Sequence, residues 1–106
     1  MAIKKKMSDA SEFLVSLTGS KLTLGNLLLA IRQGEEMSQV EFAKLLGISA
    51  QYLCDVEHGR RFVSLGTAAQ IAKKLRYSKR QFVRLCLQDL VDREKLHLEI
   101  DVRDAA

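Results

Sequence analysis

The chain has 106 residues, 17 Lys and Arg against 13 Asp and Glu for a net charge of +4, no proline, and two cysteines. That length carries one compact domain and leaves little for a second, and the Ala- and Leu-rich, proline-free composition favours helices joined by short Gly or Ser turns. Cys54 and Cys86 show no CxxC spacing and no nearby histidine, and no stretch reaches the roughly 20 apolar residues of a membrane span, so neither a metal site nor membrane insertion is expected, and free thiols in a reducing cytoplasm are.

Residues 1–22 form a tail carrying one short helix, capped by Ser8, striped by Ala10, Phe13, Leu14 and Leu17, and closed by Gly19. The stripe needs a docking face, on its own domain, a dimer mate or a partner; Lys4, Lys5 and Lys6 are either a solvated tail or an arm touching DNA. The lysines resemble the start of a signal peptide, but Asp9, Ser11 and Glu12 interrupt the apolar run it would need. A second helix spans about 23–33, with Leu24, Leu27, Leu28 and Ile31 on one face and Gly34 as its stop. Arg32, at the end of that stripe, is expected to pair with Glu57, because an uncompensated charge there costs about 3–5 kcal/mol.

Ser38 stands three residues before Glu41, the spacing of a capping box, so a helix begins near Gln39. Phe42, Ala43 and Leu46 follow at helical spacing until Gly47 permits a sharp turn; Ser49 then caps a helix with Leu53 and Val56 inward and Ala50, Gln51, Tyr52 and Asp55 outward. Two short helices meeting at a three-residue turn, with Ala43 at the crossing, make a helix-turn-helix; a plain helical hairpin within a bundle uses the same spacing. His58-Gly59-Arg60-Arg61 follows, either a phosphate clamp or a solvated basic loop. His58 has no serine and carboxylate placed with it for a triad, and no enzyme is expected.

Ser64 caps a helix to about Leu75, and Ser78 with Gln81 repeats the capping-box spacing for a last helix to about Arg93. Its apolar residues, Phe82, Val83, Leu85, Cys86, Leu87, Leu90 and Val91, cover about two thirds of the circumference, more than one core uses. A second copy of the chain is the simplest cover for the surplus. Leu96, Leu98, Ile100 and Val102 then alternate with polar residues as a strand, to pair across a two-fold axis or with another protein; a frayed tail is the alternative. Positive charge follows the helix-turn-helix, with eight cations against three acids in 64–95, and suits a nucleic-acid partner.

From Leu24 to Leu75 the sequence resembles the lambda-repressor-like, Xre/Cro-type helix-turn-helix family. The resemblance is carried by Leu24-Gly25, Ile31-Arg32, Ser38-Gln39, Glu41-Phe42-Ala43, Leu46-Gly47-Ile48-Ser49, Tyr52-Leu53, Val56-Glu57, Gly59-Arg60-Arg61 and Ser64. It implies an all-α, five-helix DNA-binding domain, usually dimeric, whose third helix enters the major groove, here with an extra N-terminal helix and a short C-terminal strand. By position, Gln39 with Ser38 resembles the phosphate anchor of the second helix. Ala50, Gln51 and Asp55 hold the recognition positions, with Ser49 and Tyr52 at their edge: Gln51 for adenine, Ala50 for a thymine methyl, Asp55 for cytosine N4. Val63 stands where many members have proline, and His58 replaces a commoner polar or basic residue.

The implied organisation is a tail (1–22), a helix-turn-helix domain (23–77, motif 38–57) and a dimerisation part (78–106) using Val83, Leu87, Leu90, Val91, Leu98 and Ile100. DNA contacts are assigned to Ser38, Gln39, Ser49, Ala50, Gln51, Tyr52, Asp55, His58, Arg60 and Arg61, with no cofactor. The expected function is a homodimeric repressor of its own operon acting on a palindrome in double-stranded DNA. Small family members with such additions resemble antitoxins, so neutralising a toxin protein is the alternative.

Overall fold

Hydroxyl side chains set where the helices start. The computed structural model, which describes residues 22–105, contains α1 (Leu24–Gly34), α2 (Gln39–Leu46), α3 (Ala50–Glu57), α4 (Leu65–Leu75) and α5 (Lys79–Arg93). Before them Thr23, Ser38, Ser49, Ser64 and Ser78 each accept a bond from the backbone N–H three residues on. This satisfies a donor that has no partner within the helix. The box at Ser38 is complete, since Glu41 Oε1 also accepts from Ser38 N at 2.9 Å. At Ser78 only half is made, because Gln81 Oε1 instead accepts from Arg84 Nε at 3.2 Å.

The helix ends are alike too. Met37, Ile48, Arg60, Tyr77 and Leu96 each donate their N–H to the carbonyl five residues back, across a left-handed residue. Gly47 and Gly59 supply two of those residues, but Glu36, Arg76 and Lys95 hold φ of 56°, 60° and 57°. The expected stop at Gly34 is therefore displaced: Gly34 is the last residue of α1 and the turn falls on Glu36. A left-handed side chain costs about 1–2 kcal/mol, which the packing of the flanking helices must outweigh.

Leu27, Leu28, Ile31, Phe42, Leu46, Leu53, Ile71, Leu75 and Phe82 are the large fully buried side chains of one core shared by all five helices. α4 and α5 pack as a hairpin, with Tyr77 edge-on to Phe82 at 6.1 Å, while α1 lies on α3 and α5 and α2 on α3 and α4. Two polar ties reinforce these layers. Lys74 Nζ donates to Leu46 O at 2.8 Å, closing the carbonyl end of α2 from α4. Leu24 N donates to Asp89 Oδ2 at 3.2 Å, anchoring the start of α1 on α5. At the α1–α3 crossing the backbones nearly touch: a Cβ on Gly25 would stand 2.1 Å from Val56 O, so only glycine fits.

Two expectations about the termini need comment. The N-terminal helix falls outside the described residues. The C-terminal strand is not formed: no strand occurs among the described residues, and 96–105 run without helix or ladder. Lys95 and His97 are left-handed, which breaks the alternation that would give Leu96 and Leu98 one face. The middle of the segment is instead held by Gln88 on α5. Gln88, 4% exposed, donates Nε2 to Leu98 O and accepts Ile100 N at Oε1, both at 2.8 Å, the two bonds a neighbouring strand would have made. No helix among the described residues is long and apolar enough to cross a membrane.

Candidate nucleic-acid interface

The helix-turn-helix is aimed by a buried charge. Glu57, at the end of α3, has a side chain 1% exposed and accepts three bonds: from Arg32 Nε at 2.8 Å, Arg32 Nη2 at 3.1 Å and Gln39 Nε2 at 2.9 Å. Arg32 Nη1 also donates to Met37 O at 3.0 Å in the α1–α2 turn. The end of α1, the start of α2 and the end of α3 thus meet at one carboxylate. Gln39 spends one amide N–H inside that network, and its amide oxygen and second N–H remain for contacts outside.

On α3 the outward residues are already linked. Asp55 Oδ1 accepts from Gln51 Nε2 at 3.0 Å and from Arg60 Nε and Nη2 at 3.1 and 3.0 Å. The Arg60 bond, more than any other cause, holds the Asp55 carboxyl below the ordinary carboxylate range, and Asp55 raises Arg60 in return. Tyr52, half-buried against the core, carries the Arg61 guanidinium 4.9 Å above its ring centroid. This contact orients Arg61 without using its N–H fork. Ser49 Oγ is taken by the N–H of Tyr52, leaving its hydroxyl proton. Ala50 packs partly against the core, so only part of its methyl faces outward.

His58 Nδ1 lies 2.8 Å from Cys54 O, and since a carbonyl only accepts, the proton sits on Nδ1 and Nε2 faces away. The same ring nitrogen is 3.6 Å from Cys54 Sγ, and Arg60 Nη2 is 3.5 Å from that sulfur, so a histidine does stand beside this thiol. The i, i+4 spacing of Cys54 and His58 was the available sequence signal. Val63 is buried and its carbonyl oxygen accepts a bond from Cys86 Sγ at 2.7 Å, which holds the loop after Arg61. Burial and the nearby Asp89 push the Cys86 thiol up, consistent with its acting as a donor.

The structure brings Gln51, Asp55 and Arg60 into one hydrogen-bonded set, Tyr52 and Arg61 into a second, and Gln39 into the Arg32–Glu57 network. The residues assigned to dimerisation lie apart from these. On α5, Val83, Leu87 and Leu90 fall within an arc of about 60° distinct from the core side, and Leu90 is 43% exposed. Val91 lies toward the Gln88 side, Leu98 is 55% exposed, and Ile100 is half-buried on its Gln88 bond. Sequence reasoning passed over Lys74, Gln88 and the Arg93 guanidinium 4.5 Å above the Phe62 ring. Each joins residues remote in sequence, and no local pattern marks it.

The helix-turn-helix family matches residues 28–82, just over half of the chain and the span that holds the Arg32–Gln39–Glu57, Gln51–Asp55–Arg60 and Tyr52–Arg61 contacts. The chain belongs to this family, with a helix-turn-helix domain of the Xre or lambda-repressor type. It is 43% identical over 56 residues to the ImmF control region 10 kDa protein of Bacillus phage phi105, an alignment covering 53% of this chain and 60% of that relative. The chain therefore spans less than two thirds of the curated relative it matches. No solved structure matches it significantly.

Proposed function

We propose that the protein is a sequence-specific repressor, working in the cytoplasm as a homodimer on a palindromic operator of its own operon. The observation that carries this reading is the outward face of α3, where Gln51 and Tyr52 stand in the family's recognition helix, flanked by Arg60 and Arg61. In this proposal α3 enters the major groove, Gln51 reads a base edge with Ala50 and Ser49 beside it, and Ser38, Gln39, His58, Arg60 and Arg61 face phosphate. The motif at 38–57 is slightly acidic, Lys44 against Glu41, Asp55 and Glu57, so one copy binds weakly, and two copies about 34 Å apart multiply that affinity. The Val83, Leu87 and Leu90 arc with Leu98 is the proposed dimer seam, and residues 23–77 and 78–106 divide the labour accordingly.

A gel shift with the protein's own upstream DNA tests the reading. Retardation is expected at low salt, with scrambled DNA binding far more weakly. Equal affinity for both, or none for either, refutes it. Arg61→Ala should weaken both alike and reduce the salt slope by about one.

A further inference from the structure

We propose that Asp55 acts as a positioning residue that sets which base Gln51 reads and where Arg60 points, and is not itself a base contact. The inference rests on the DNA-binding reading above and assigns the specificity within it. Three donors converge on Asp55 Oδ1: Gln51 Nε2 at 3.0 Å, Arg60 Nε at 3.1 Å and Arg60 Nη2 at 3.0 Å. Those bonds come from both sides of the recognition surface, one from α3 and two from the loop after it.

The chemistry of the partners fixes the Gln51 amide. An ionised carboxylate only accepts, so the Gln51 atom facing it must be the nitrogen, and the amide cannot flip without losing that bond. What remains outward is one N–H and the amide oxygen. Adenine presents an acceptor, N7, beside a donor, N6, and is the base whose major-groove edge this pair matches. Guanine offers two acceptors there and rejects the oxygen. Arg60 is held by Nε and Nη2, and Nη2 also faces Cys54 Sγ at 3.5 Å, leaving Nη1 for phosphate or a guanine edge. The Asp55 charge is balanced by Arg60 in an ion pair only 25% exposed on the carboxylate side, which lets it approach DNA without presenting a bare negative charge.

Removing the carboxylate should loosen specificity while strengthening general attraction. Without Asp55 the Gln51 amide flips freely, and the recognition face gains one net positive charge. The test selects bound sites from duplexes with a randomised core, using wild type, Asp55→Ala, Gln51→Ala and the double variant, each first checked for wild-type helicity and melting. Asp55→Ala is expected to lower discrimination at one adenine position by roughly tenfold, within what one bidentate amide–adenine pair contributes. It should also bind scrambled DNA more tightly, with a salt slope steeper by about one. In the Gln51→Ala background it should change nothing further at that position. Loss of preference at a cytosine position, with the adenine preference intact, would show direct base reading by Asp55 and overturn the proposal. So would unchanged specificity in Asp55→Ala. Wild-type protein selecting no sequence at all would refute the DNA-reading role instead, which keeps the two failures distinct.

Discussion

Arg32→Ala leaves Glu57 as a buried carboxylate with the Gln39 amide as its one remaining partner among the three bonds described. In the folded protein Arg32 supplies two of those bonds and its whole counter-charge, at 2.8 and 3.1 Å, to a side chain 1% exposed. Breaking such a pair from one side costs about 3–5 kcal/mol, against a total stability of about 5–15 kcal/mol for a domain of this size. The melting temperature should fall on the order of 20 °C. Arg32→Met with Glu57→Leu removes both charges and keeps the volume, and should recover most of the loss, because no charge is then left buried. Gln39 is half-buried and can turn its amide to water. Urea denaturation followed by circular dichroism measures all three proteins. A loss under about 1 kcal/mol for Arg32→Ala, or a double variant as unstable as the sum of its singles, would refute the reasoning.

Three further outcomes follow from the geometry. Gly25→Ala should destabilise by about 1–3 kcal/mol, because the new methyl meets Val56 O, whereas Gly66→Ala in α4, with open space around it, should stabilise by up to about 1 kcal/mol; equal effects in melting experiments would contradict the crossing. In native protein Cys54 should alkylate and buried Cys86 should not, as mass spectrometry reads directly. Because the Cys86 pKa is raised on folding, its contribution is complete below the ordinary thiol value and lost as pH rises through the higher folded one, so stability should decline above about pH 9 and do so less in Cys86→Ala. Gln88→Ala should speed exchange of the Ile100 amide by roughly tenfold or more; an unchanged rate would mean that this side chain does not hold the tail.

Helix starts were legible because capping is local. A hydroxyl and the N–H three residues on lie within one turn, so Ser38, Ser49, Ser64 and Ser78 announce themselves. The helix-turn-helix was legible for a similar reason: Phe42, Leu46, Leu53 and Val56 at helical spacing around Gly47 admit few other arrangements. Helix ends were harder. Glycine marks a left-handed residue, but Glu36, Arg76 and Lys95 adopt that conformation because the elements around them demand it. The tail misled for the same reason, since alternation at Leu96–Val102 describes a strand only where another strand accepts its bonds, and here Gln88 takes them.

The sequence by itself therefore determined the number and order of the described helices, the motif and the family, all of which rest on spacings shorter than about two helical turns. The tertiary structure alone decided that Gly25 touches Val56, that Lys74 closes α2, that Gln39 joins Arg32 on Glu57, and that Asp55 holds both Gln51 and Arg60. Such contacts depend on where the folded backbone carries each side chain. A hydrogen bond is made or lost over a fraction of an ångström, a scale that residue spacing along the chain does not specify.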